Sequence, residues 1–258
     1  MRTVVVTGAS SGLGREIALE LAKQSAKLIL VARNTDRLQE VGRECLLYGA
    51  YSVNCLELDL ANQTSIKTTA KWISNHFSAI DLLINNAGIG FFEDFVDQSV
   101  EEIKSTLDVN VLGTMLFTKG LVLSIENVAG NILNICSVAA SVTTKKAAVY
   151  GASKAALVAW SNGLRLELKN KNVGVKVVNP GPMKTNFFDN ADKTGRYLEK
   201  MGSLALDPNI TAKKIIRLSQ SNQTELFLPV YMGWSSKLYK VFPRIGNKVL
   251  ESKLIDRK

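Results

Sequence analysis

Short apolar runs alternate with amphipathic stretches along most of the chain. Runs rich in Val, Ile and Leu are typical of β-strands, whereas apolar residues that recur every three or four positions indicate helices. Because strand and helix alternate, the pattern predicts a doubly wound, Rossmann-like α/β fold, in which about seven strands form a parallel sheet with helices on both faces. The predicted strands are 2–6, 27–32, 51–58, 80–84, 131–136, 174–178 and 224–229, and the main predicted helices are 36–48, 107–125, 147–169 and 208–219.

One polar segment, residues 183–206, interrupts this alternation. It follows the sixth predicted strand at the edge of the sheet where ligands bind, so we predict a lid over the binding site. The sequence contains no repeat of fixed period and no low-complexity linker. We therefore expect residues 1–258 to form a single domain.

The last stretch, residues 232–258, is a basic amphipathic extension. Leu238, Val241 and Ile245 share one helical face with basic residues beside it, and Pro243 divides the stretch into two helices. A face of this kind either lies on an anionic membrane surface or packs on the body of the protein or on another subunit. The sequence leaves these alternatives open.

Composition and charge are those of a globular protein with acidic partners. The chain is 46% hydrophobic and 21% charged, which argues against disorder. Its formal net charge of +9 favours phosphorylated cofactors, acidic carrier proteins, anionic lipids or nucleic acid as partners. Charge alone does not choose among these classes.

The expected location is the cytoplasm, with peripheral membrane association through the extension as a further option. The first residues run directly into an apolar strand and leave no room for a signal peptide. The longest apolar stretch, 107–125, is interrupted by polar residues, so no transmembrane helix is predicted. Cys45, Cys55 and Cys136 form no close pairs and no metal-ligand spacing with His76, so we predict buried free thiols and no metal site.

A glycine-rich turn follows the first predicted strand and precedes a helical pattern. Residues 7–14 read Thr-Gly-Ala-Ser-Ser-Gly-Leu-Gly, in which the glycines are spaced G-x-x-x-G-x-G. Glycine permits positive φ and close backbone approach, and the start of the following helix presents unpaired N–H groups to a phosphate. The unit indicates a dinucleotide-binding site, although such a turn can also be purely structural.

The end of the second predicted strand favours NADP(H), with NAD(H) as an alternative. An acidic residue at this point would bind the ribose 2'-hydroxyl, whereas an arginine accommodates a 2'-phosphate. The strand ends in Ala32 and Arg33, with no Asp or Glu beside them. The simpler interpretation is that Arg33 is only a surface charge.

Polar residues also follow the third and fourth predicted strands at the same edge of the sheet. Asp59 either binds the adenine amino group or caps the helix that begins near Asn62. Residues 85–88, Asn-Asn-Ala-Gly, allow the backbone to approach a cofactor while their amides form hydrogen bonds. These positions extend the predicted cofactor site along the edge.

A phenol, an ammonium and a hydroxyl are predicted to meet there. Tyr150 and Lys154 lie four residues apart on one predicted helix, and Ser137 ends the fifth predicted strand. A cation beside a tyrosine lowers the pKa of the phenol from its reference value of ~10. Asn110 stands in a largely apolar helix, where a buried polar group needs partners. The set suits carbonyl reduction, although Tyr-x-x-x-Lys spacings also arise by chance.

In combination, these motifs resemble those of the short-chain dehydrogenase/reductase family, from Thr3 to about Pro229. The glycine spacing differs from that of the epimerase-like branch, and the spacing of Tyr150 and Lys154 differs from that of the enoyl-reductase branch. The matching motifs are Thr7-Gly8-x-x-x-Gly12-x-Gly14, Asn85-Asn86-Ala87-Gly88, Asn110, Ser137, Tyr150-x-x-x-Lys154 and Pro180-Gly181.

The resemblance implies a catalytic tetrad of Asn110, Ser137, Tyr150 and Lys154. Tyr150 would donate a proton to the carbonyl oxygen during reduction, or accept it in alcohol oxidation, and Ser137 would bind that oxygen of the substrate. Lys154 would hold the nicotinamide ribose, and Asn110 would position a water that links Lys154 to solvent. The implied cofactor-binding residues are Gly8, Ser10, Ser11, Gly12, Leu13, Gly14, Arg33, Asp59, Leu60, Asn86, Ala87, Gly88, Tyr150, Lys154, Pro180, Gly181 and Thr185.

The predicted function is an NAD(P)-dependent interconversion of a carbonyl and a secondary alcohol, with NADPH-dependent reduction preferred. Ser11 stands where many NADP-dependent members of the family carry a second basic residue, so NAD(H) stays open. The alternative functions are a ketoacyl-carrier-protein reductase and a non-catalytic NADP-sensing or interaction protein. We expect a small-molecule substrate, a homodimer or homotetramer, and no nucleic-acid partner.

Overall fold

The computed structural model describes residues 1–191 and 205–251 of the chain. Within this part, seven strands form one parallel sheet with helices on both faces, which confirms the predicted doubly wound fold. The strands are β1 (Thr3–Thr7), β2 (Lys27–Ala32), β3 (Ser52–Glu57), β4 (Leu82–Asn85), β5 (Asn131–Ile135), β6 (Gly174–Pro180) and β7 (Glu225–Leu228).

The strands are ordered β3-β2-β1-β4-β5-β6-β7 across the sheet. Val5 of β1 pairs with Ile29 of β2 on one side and with Leu83 of β4 on the other. The winding of the chain therefore reverses between β1 and β4. In open α/β sheets, ligands bind in the crevice at the carboxyl ends of the strands beside such a reversal.

The helices agree with the sequence pattern except around the fourth. The helix predicted at 107–125 already begins at Val100, because Ser99 and Glu102 form a reciprocal capping box there. A π-helical segment, Asp108–Gly113, follows it. The α-helices of the described residues are α1 (Gly12–Ala22), α2 (Thr35–Leu47), α3 (Gln63–His76), α4 (Val100–Leu107), α5 (Thr114–Glu126), α6 (Ala148–Glu167), α7 (Phe187–Ala191), α8 (Pro208–Ser219), α9 (Tyr231–Val241) and α10 (Pro243–Glu251).

Both faces of the sheet carry an apolar layer. Val4 and Val6 belong to the layer that Ile17 of α1 and Ile215 of α8 cover, whereas Val5 belongs to the opposite layer, with Phe117 of α5. Successive residues of a strand point to opposite faces, so a strand buried on both sides needs a continuous apolar run. This explains why the strand signal in the sequence is continuous rather than alternating.

The edge position of β3 corrects the prediction that all three thiols are buried. The residues of β3 are at most half-buried, and Cys55 among them is half-buried, whereas Cys45 and Cys136 are buried. Burial raises the pKa of the Cys45 and Cys136 thiols to about 12. All three cysteines lie in the described part of the chain and are free.

One helix of the described residues, Val100–Glu126, has the length and hydropathy of a membrane span. It consists of α4, the π-helical segment and α5. Half of its most apolar window is buried inside the protein, where α5 packs against α3. The core helix of a globular protein has the same properties.

The C-terminal extension forms two helices, α9 and α10. Pro243 is the first residue of α10, where its missing N–H would have no helical partner in any case. The Tyr239 hydroxyl and Asn247 Oδ1 form a 2.7 Å hydrogen bond that ties the two helices together. Residues 252–258 of the predicted extension lie outside the described residues.

Candidate active site

The turn between β1 and α1 has a backbone that glycine adopts most easily. The φ angles of Gly8 and Gly12 are +66° and +53°, both in the left-handed region. α1 begins at Gly12, and Ser11 before it makes no side-chain capping hydrogen bond. The first N–H groups of α1 and the positive end of its dipole are therefore open to an anionic ligand.

Gly14 packs behind this turn. A Cβ at Gly14 would collide with the Gly8 carbonyl oxygen and would lie 2.6 Å from Asn86 Nδ2. Gly14 does not line the cavity described below, whereas Gly8 and Gly12 do. The third glycine of the motif thus permits close packing of α1 on the turn.

Thr7 and Asn86 fasten the turn to the loop after β4. The Thr7 hydroxyl accepts hydrogen bonds from the N–H groups of Asn86 at 2.9 Å and Ala87 at 3.0 Å. In return, Asn86 Nδ2 donates to the Thr7 carbonyl oxygen at 3.0 Å. These bonds cross the reversal point between β1 and β4, so both loops are held side by side along the cavity.

Two arginines line the cavity at the end of β2. Arg33 follows the strand directly, and Arg37 lies in the first turn of α2, where Asn34 Oδ1 caps the helix by accepting from the Arg37 N–H at 2.9 Å. Neither guanidinium forms an ion pair with the described residues. Sequence reasoning missed Arg37, although a second arginine four residues after Arg33, in the first turn of the predicted helix, is a signal that could have revealed it.

Asp59 lines the cavity beyond β3, next to Leu60. The cap of α3 is Asn62, whose Oδ1 accepts from the Ser65 N–H at 3.0 Å. The alternative prediction that Asp59 caps this helix is therefore wrong. Asp59 Oδ1 instead accepts from the Ala61 N–H at 2.9 Å, which orients its carboxylate.

Ser137 lies two residues beyond the end of β5 and lines the cavity. Its Oγ accepts a hydrogen bond from the Ala139 N–H at 3.1 Å, at the start of a short 3₁₀ turn. A hydroxyl has one proton and two lone pairs. Since the Ala139 N–H uses one lone pair, the Ser137 proton is free to bind an oxygen atom in the cavity.

Tyr150 and Lys154 lie one turn apart at the start of α6, and both line the cavity. Both are buried, and Lys154 Nζ lies 5.8 Å from the centroid of the Tyr150 ring. Lys154 Nζ donates to the Ile135 carbonyl oxygen at 3.0 Å, at the end of β5. Burial lowers the pKa of Lys154, and the nearby Cys136 thiol partly opposes this effect.

Asn110 is fully buried in the π-helical segment and does not reach the cavity wall. Its Oδ1 accepts from the Ile89 N–H at 2.8 Å, and its Nδ2 donates to the Ile89 carbonyl at 2.8 Å and to the Ser153 hydroxyl at 3.0 Å. Asn110 thereby joins the loop after β4 to α6 from behind. π-helical turns recur at functional sites. Sequence reasoning did not single out Ser153.

Gly88 and Gly90 leave room for the polar side chains of the site. A Cβ at Gly88 would lie 3.1 Å from Asn110 Oδ1 and 3.2 Å from Lys154 Nζ. A Cβ at Gly90 would lie 2.8 Å from the Tyr150 ring. Gly90 was also missed, because its requirement comes from a side chain sixty residues later in the chain.

The last residue of β6 and the loop after it close the cavity opposite the glycine turn. Pro180, Gly181 and Thr185 line the cavity. A Cβ at Gly12 would lie 3.3 Å from Thr185 Cβ, so this loop and the glycine turn face each other closely. The two loops are therefore placed to contact the same ligand.

A cavity of about 1080 Å³ brings these residues together. Of all residues predicted for the site, only Gly14 and Asn110 do not line it. The charged residues among its described lining are Arg33, Arg37, Asp59 and Lys154. The end of the cavity beyond Tyr150 has a largely apolar lining, which includes Phe91, Phe92, Val138, Val142, Phe187 and Phe188.

Aromatic rings surround Tyr150 at this apolar end. The ring centroids of Phe92 and Phe187 each lie 5.6 Å from that of Tyr150. Phe187 belongs to α7 within the predicted lid, and the Phe92 N–H donates to the Ala191 carbonyl oxygen at 2.7 Å. Residues 192–204 of that segment lie outside the described residues.

The chemistry of the described lining fits an organic cofactor with phosphate groups. The described residues contain no group of three or more His, Cys, Asp or Glu that could hold an ion. His76 lies on the surface, where it stacks on Trp72 at 4.0 Å and its Nδ1 pairs with the Trp72 carbonyl oxygen at 2.8 Å. Open helix N–H groups, two arginines without ion pairs among the described residues, and backbone that can be approached closely at glycines match a nucleotide with phosphate groups.

Comparison with known proteins supports this description. The family model described as short chain dehydrogenase matches residues 2–195. Two proteins of Arabidopsis thaliana, 11-beta-hydroxysteroid dehydrogenase-like 3 and 11-beta-hydroxysteroid dehydrogenase-like 2, are 33% and 32% identical, over 95% and 97% of this chain and 78% and 80% of their own length. An uncharacterized oxidoreductase of Staphylococcus epidermidis is 34% identical over 74% of this chain and 82% of its own.

Solved structures show the same similarity. An alcohol dehydrogenase from the archaeon Thermococcus sibiricus, complexed with 5-hydroxy-NADP, has a TM-score of 0.79 at 27% identity, over 88% of this chain and 95% of its own. A metagenomic short-chain oxidoreductase in complex with NADP has a TM-score of 0.74 at 27% identity and the same coverage.

Proposed function

The chain belongs to the short-chain dehydrogenase/reductase family of oxidoreductases, and we propose that it interconverts a carbonyl compound and a secondary alcohol with NADP(H), preferentially as a reductase. The observation that carries this proposal is that Ser137, Tyr150 and Lys154 line the same cavity as the glycine turn. A nicotinamide cofactor, when bound there, supplies or accepts the hydride. The chain itself has to hold that cofactor, orient the carbonyl and move one proton.

The cofactor is held by the loops at the carboxyl edge of the sheet. The N–H groups at the start of α1 bind the pyrophosphate, with Ser10 and Ser11 beside them. Asp59 and Leu60 contact the adenine, the loop after β4 contacts the adenosine ribose, and Thr185 contacts the carboxamide and phosphate. The family resemblance supports these assignments, and the position of each group on the cavity wall agrees with them.

The preference for NADP(H) rests on Arg33 and Arg37. Two cations at the end of β2, both on the cavity wall and without ion pairs among the described residues, suit a 2'-phosphate. The similar proteins that were solved with NADP or an NADP derivative agree with this choice. Arg37 supplies the second basic residue that is missing at Ser11.

Tyr150 is the proton donor in the reduction and the acceptor in the reverse direction. Ser137 donates a hydrogen bond to the carbonyl oxygen, which stabilises the negative charge that develops on it as the hydride arrives. The Tyr150 hydroxyl then protonates that oxygen, so the alcohol forms without a free alkoxide. The Lys154 ammonium favours the phenolate that Tyr150 becomes, and it binds the nicotinamide ribose.

Asn110 acts on Tyr150 and Lys154 only indirectly. Both protons of its Nδ2 are used by Ile89 and Ser153, and one lone pair of Oδ1 is used by the Ile89 N–H. The remaining lone pair is the acceptor that its side chain offers to a water between Lys154 and solvent. Asn110 is thus a positioning residue.

The substrate is a small uncharged molecule with an apolar body. The lining beyond Tyr150 is largely aromatic and aliphatic, with no charged side chain among the described residues. Burying an unpaired charge there would cost several kcal/mol, of the order of 5, whereas apolar groups gain by the contact.

The substitution Tyr150→Phe tests the proposal. Turnover with a panel of ketones, aldehydes and secondary alcohols, followed at the nicotinamide absorbance, should fall by at least about a hundredfold. NADPH binding, followed by fluorescence titration, should change little, because the ring remains in place. The matched control Tyr51→Phe removes a hydroxyl from an exposed tyrosine and should leave both quantities unchanged.

Two outcomes would contradict parts of the proposal. Retained turnover in the Tyr150→Phe enzyme would remove Tyr150 from the proton transfer. Tight NADPH binding by the wild type without oxidation of NADPH by any carbonyl would favour a cofactor-sensing protein instead.

We further propose a cytoplasmic location, consistent with three free thiols. We also propose a homodimer or homotetramer, which sedimentation velocity would identify.

A further inference from the structure

Helix α9 packs on the protein with its small residues and turns its large apolar residues outward. Gly233 and Ser236 are buried, and a Cβ at Gly233 would lie 3.0 Å from the Phe227 ring. Trp234, Leu238 and Val241 lie on another face and are 73%, 61% and 67% exposed. An amphipathic helix that served only the core would have the opposite arrangement.

The exposed face continues along the chain in both directions. Helix α10 stays attached to α9 through the bond between Tyr239 and Asn247. Of the 21 exposed large hydrophobic residues in the described chain, seven fall between residues 230 and 245, which is far more than an even distribution over the surface would give. We call these seven the C-terminal apolar surface: Val230, Tyr231, Trp234, Leu238, Val241, Phe242 and Ile245.

Between Glu225 and Glu251, the charged residues along this part of the chain have one sign. Residues 226–250 contain Lys237, Lys240, Arg244 and Lys248 and no Asp or Glu, so the segment carries a net charge of +4 from four basic and no acidic residues. Lys237 Nζ lies 5.6 Å from the Trp234 ring, so charged and apolar groups adjoin directly. Apolar residues beside lysine and arginine match the boundary between acyl chains and anionic headgroups.

We propose that the C-terminal apolar surface docks the protein on an anionic phospholipid membrane. A second copy of the chain fits less well, because a symmetric contact through this surface would bring two segments of charge +4 together. A membrane supplies the apolar phase and the negative charge at once. The four basic residues of this segment then approach the headgroups while the apolar side chains enter the interface.

The docked surface adjoins the cavity. Met232 of α9 contacts Gly181, where a Cβ would lie 3.2 Å from its Sδ, and Gly181 lines the cavity. α9 also contacts the 3₁₀ turn Val138–Ala140 beside Ser137. Docking therefore holds the cavity close to the bilayer. One further step rests on the proposed function: an apolar carbonyl substrate can then reach the site from the membrane.

Vesicle binding of the full chain tests the docking without reference to activity. The protein is titrated with vesicles of phosphatidylcholine alone and with vesicles of equal parts phosphatidylcholine and phosphatidylglycerol, and the bound fraction is measured by sedimentation. We expect binding to the anionic vesicles only, weakened by salt. Bilayer contact should shift tryptophan emission to the blue, and the Trp234→Phe variant should lack most of this shift.

Paired variants test whether vesicle binding depends on this surface or on exposed apolar and basic residues in general. Trp234→Ala should weaken vesicle binding by about tenfold, and Lys237→Glu with Lys240→Glu by about thirtyfold or more. The matched controls are Leu166→Ala, which removes an exposed apolar residue elsewhere, and Lys67→Glu with Lys71→Glu, which reverses two exposed charges on α3. Neither control should change binding by more than about twofold.

Three results would overturn the proposal. The first is equal binding to both kinds of vesicle, and the second is an equal loss of vesicle binding in a variant and its matched control. The third is a wild-type protein that binds no vesicles but forms a dimer, which the Leu238→Ser substitution dissociates. Activity is a separate measurement. Loss of vesicle binding with unchanged turnover of a water-soluble carbonyl leaves the proposed function intact, and vesicle binding without turnover leaves the docking intact.

Discussion

The Asn110 amide and the Ser153 hydroxyl form a hydrogen bond of 3.0 Å behind the wall of the candidate active site. The same hydroxyl donates to the Tyr150 carbonyl oxygen at 2.7 Å. A continuous path of hydrogen bonds therefore runs from the π-helical segment to the backbone of Tyr150. Because Ser153 is fully buried, water cannot replace either bond.

We expect Ser153→Ala to lower kcat by about tenfold with little change in KM for NADPH, because the first turn of α6 loses its support and Tyr150 loses its orientation. The free energy of unfolding should fall by about 1–2 kcal/mol. The control is Ser161→Ala, since Ser161 accepts from Asn134 at 2.7 Å and donates to the Leu157 carbonyl at 2.6 Å on the same helix, two turns away. The Ser161→Ala variant should lose a similar free energy of unfolding but keep the wild-type kcat. Equal kcat values in the two variants would refute a positioning role for Ser153.

Gly90→Ala should impair catalysis without impairing cofactor binding. The new methyl group would lie 2.8 Å from the Tyr150 ring and 3.3 Å from Phe187, so the phenol has to move. Moving the phenol by about 1 Å is expected to lower kcat by about a hundredfold. Gly163→Ala on α6, where a Cβ meets nothing within 4 Å, should keep full activity and raise stability by about 0.5–1 kcal/mol. Steady-state kinetics and thermal unfolding of both variants measure these effects. A fully active Gly90→Ala enzyme would contradict the close contact between position 90 and the Tyr150 ring.

Arg33→Ala and Arg37→Ala should each lower kcat/KM for NADPH by about tenfold to a hundredfold and leave kcat/KM for NADH almost unchanged. The reason is that a charge-assisted hydrogen bond to a phosphate contributes about 1.5–3 kcal/mol and NADH has no 2'-phosphate. The control Arg43→Ala removes an exposed arginine further along α2. If NADPH and NADH lose equally in Arg37→Ala, this residue does not contact the 2'-phosphate.

The stability of the protein should depend on pH through Lys154. Burial lowers the pKa of Lys154 in the folded state, so the unfolded chain binds more protons than the folded one between the lowered value and the ordinary pKa near 10.5. At lower pH the buried lysine is charged, which lowers the free energy of unfolding. This loss disappears as the pH rises through that window and the lysine loses its proton. Relative to Lys154→Met, the wild-type protein should gain free energy of unfolding towards alkaline pH in the absence of cofactor. Denaturant titrations at a series of pH values measure the difference, and the exposed control pair, wild type against Lys67→Met, should show no trend.

The order of elements and most of the candidate site follow from the sequence alone. The continuous apolar strands and the glycine turn are local signals, and parallel topology then requires residues after every strand to share one edge. That is why Ser137 and Tyr150 could be assigned to one site before any distance was known. Asp59 shows the limit of this reasoning, because only the hydrogen bonds of Asn62 reveal which of the two residues caps α3.

Tertiary structure decided the features that depend on contacts between distant parts of the chain. Gly90 is required by the ring of Tyr150, and Ser153 matters because the π-helical segment brings Asn110 to it. The amphipathic pattern of the extension was visible in the sequence, but a pattern does not say which face of a helix meets the protein. Close packing of Gly233 on Phe227 turns the small face inward and leaves Trp234 exposed. Periodicity reports the composition of a face, whereas its direction depends on which neighbour fits against it.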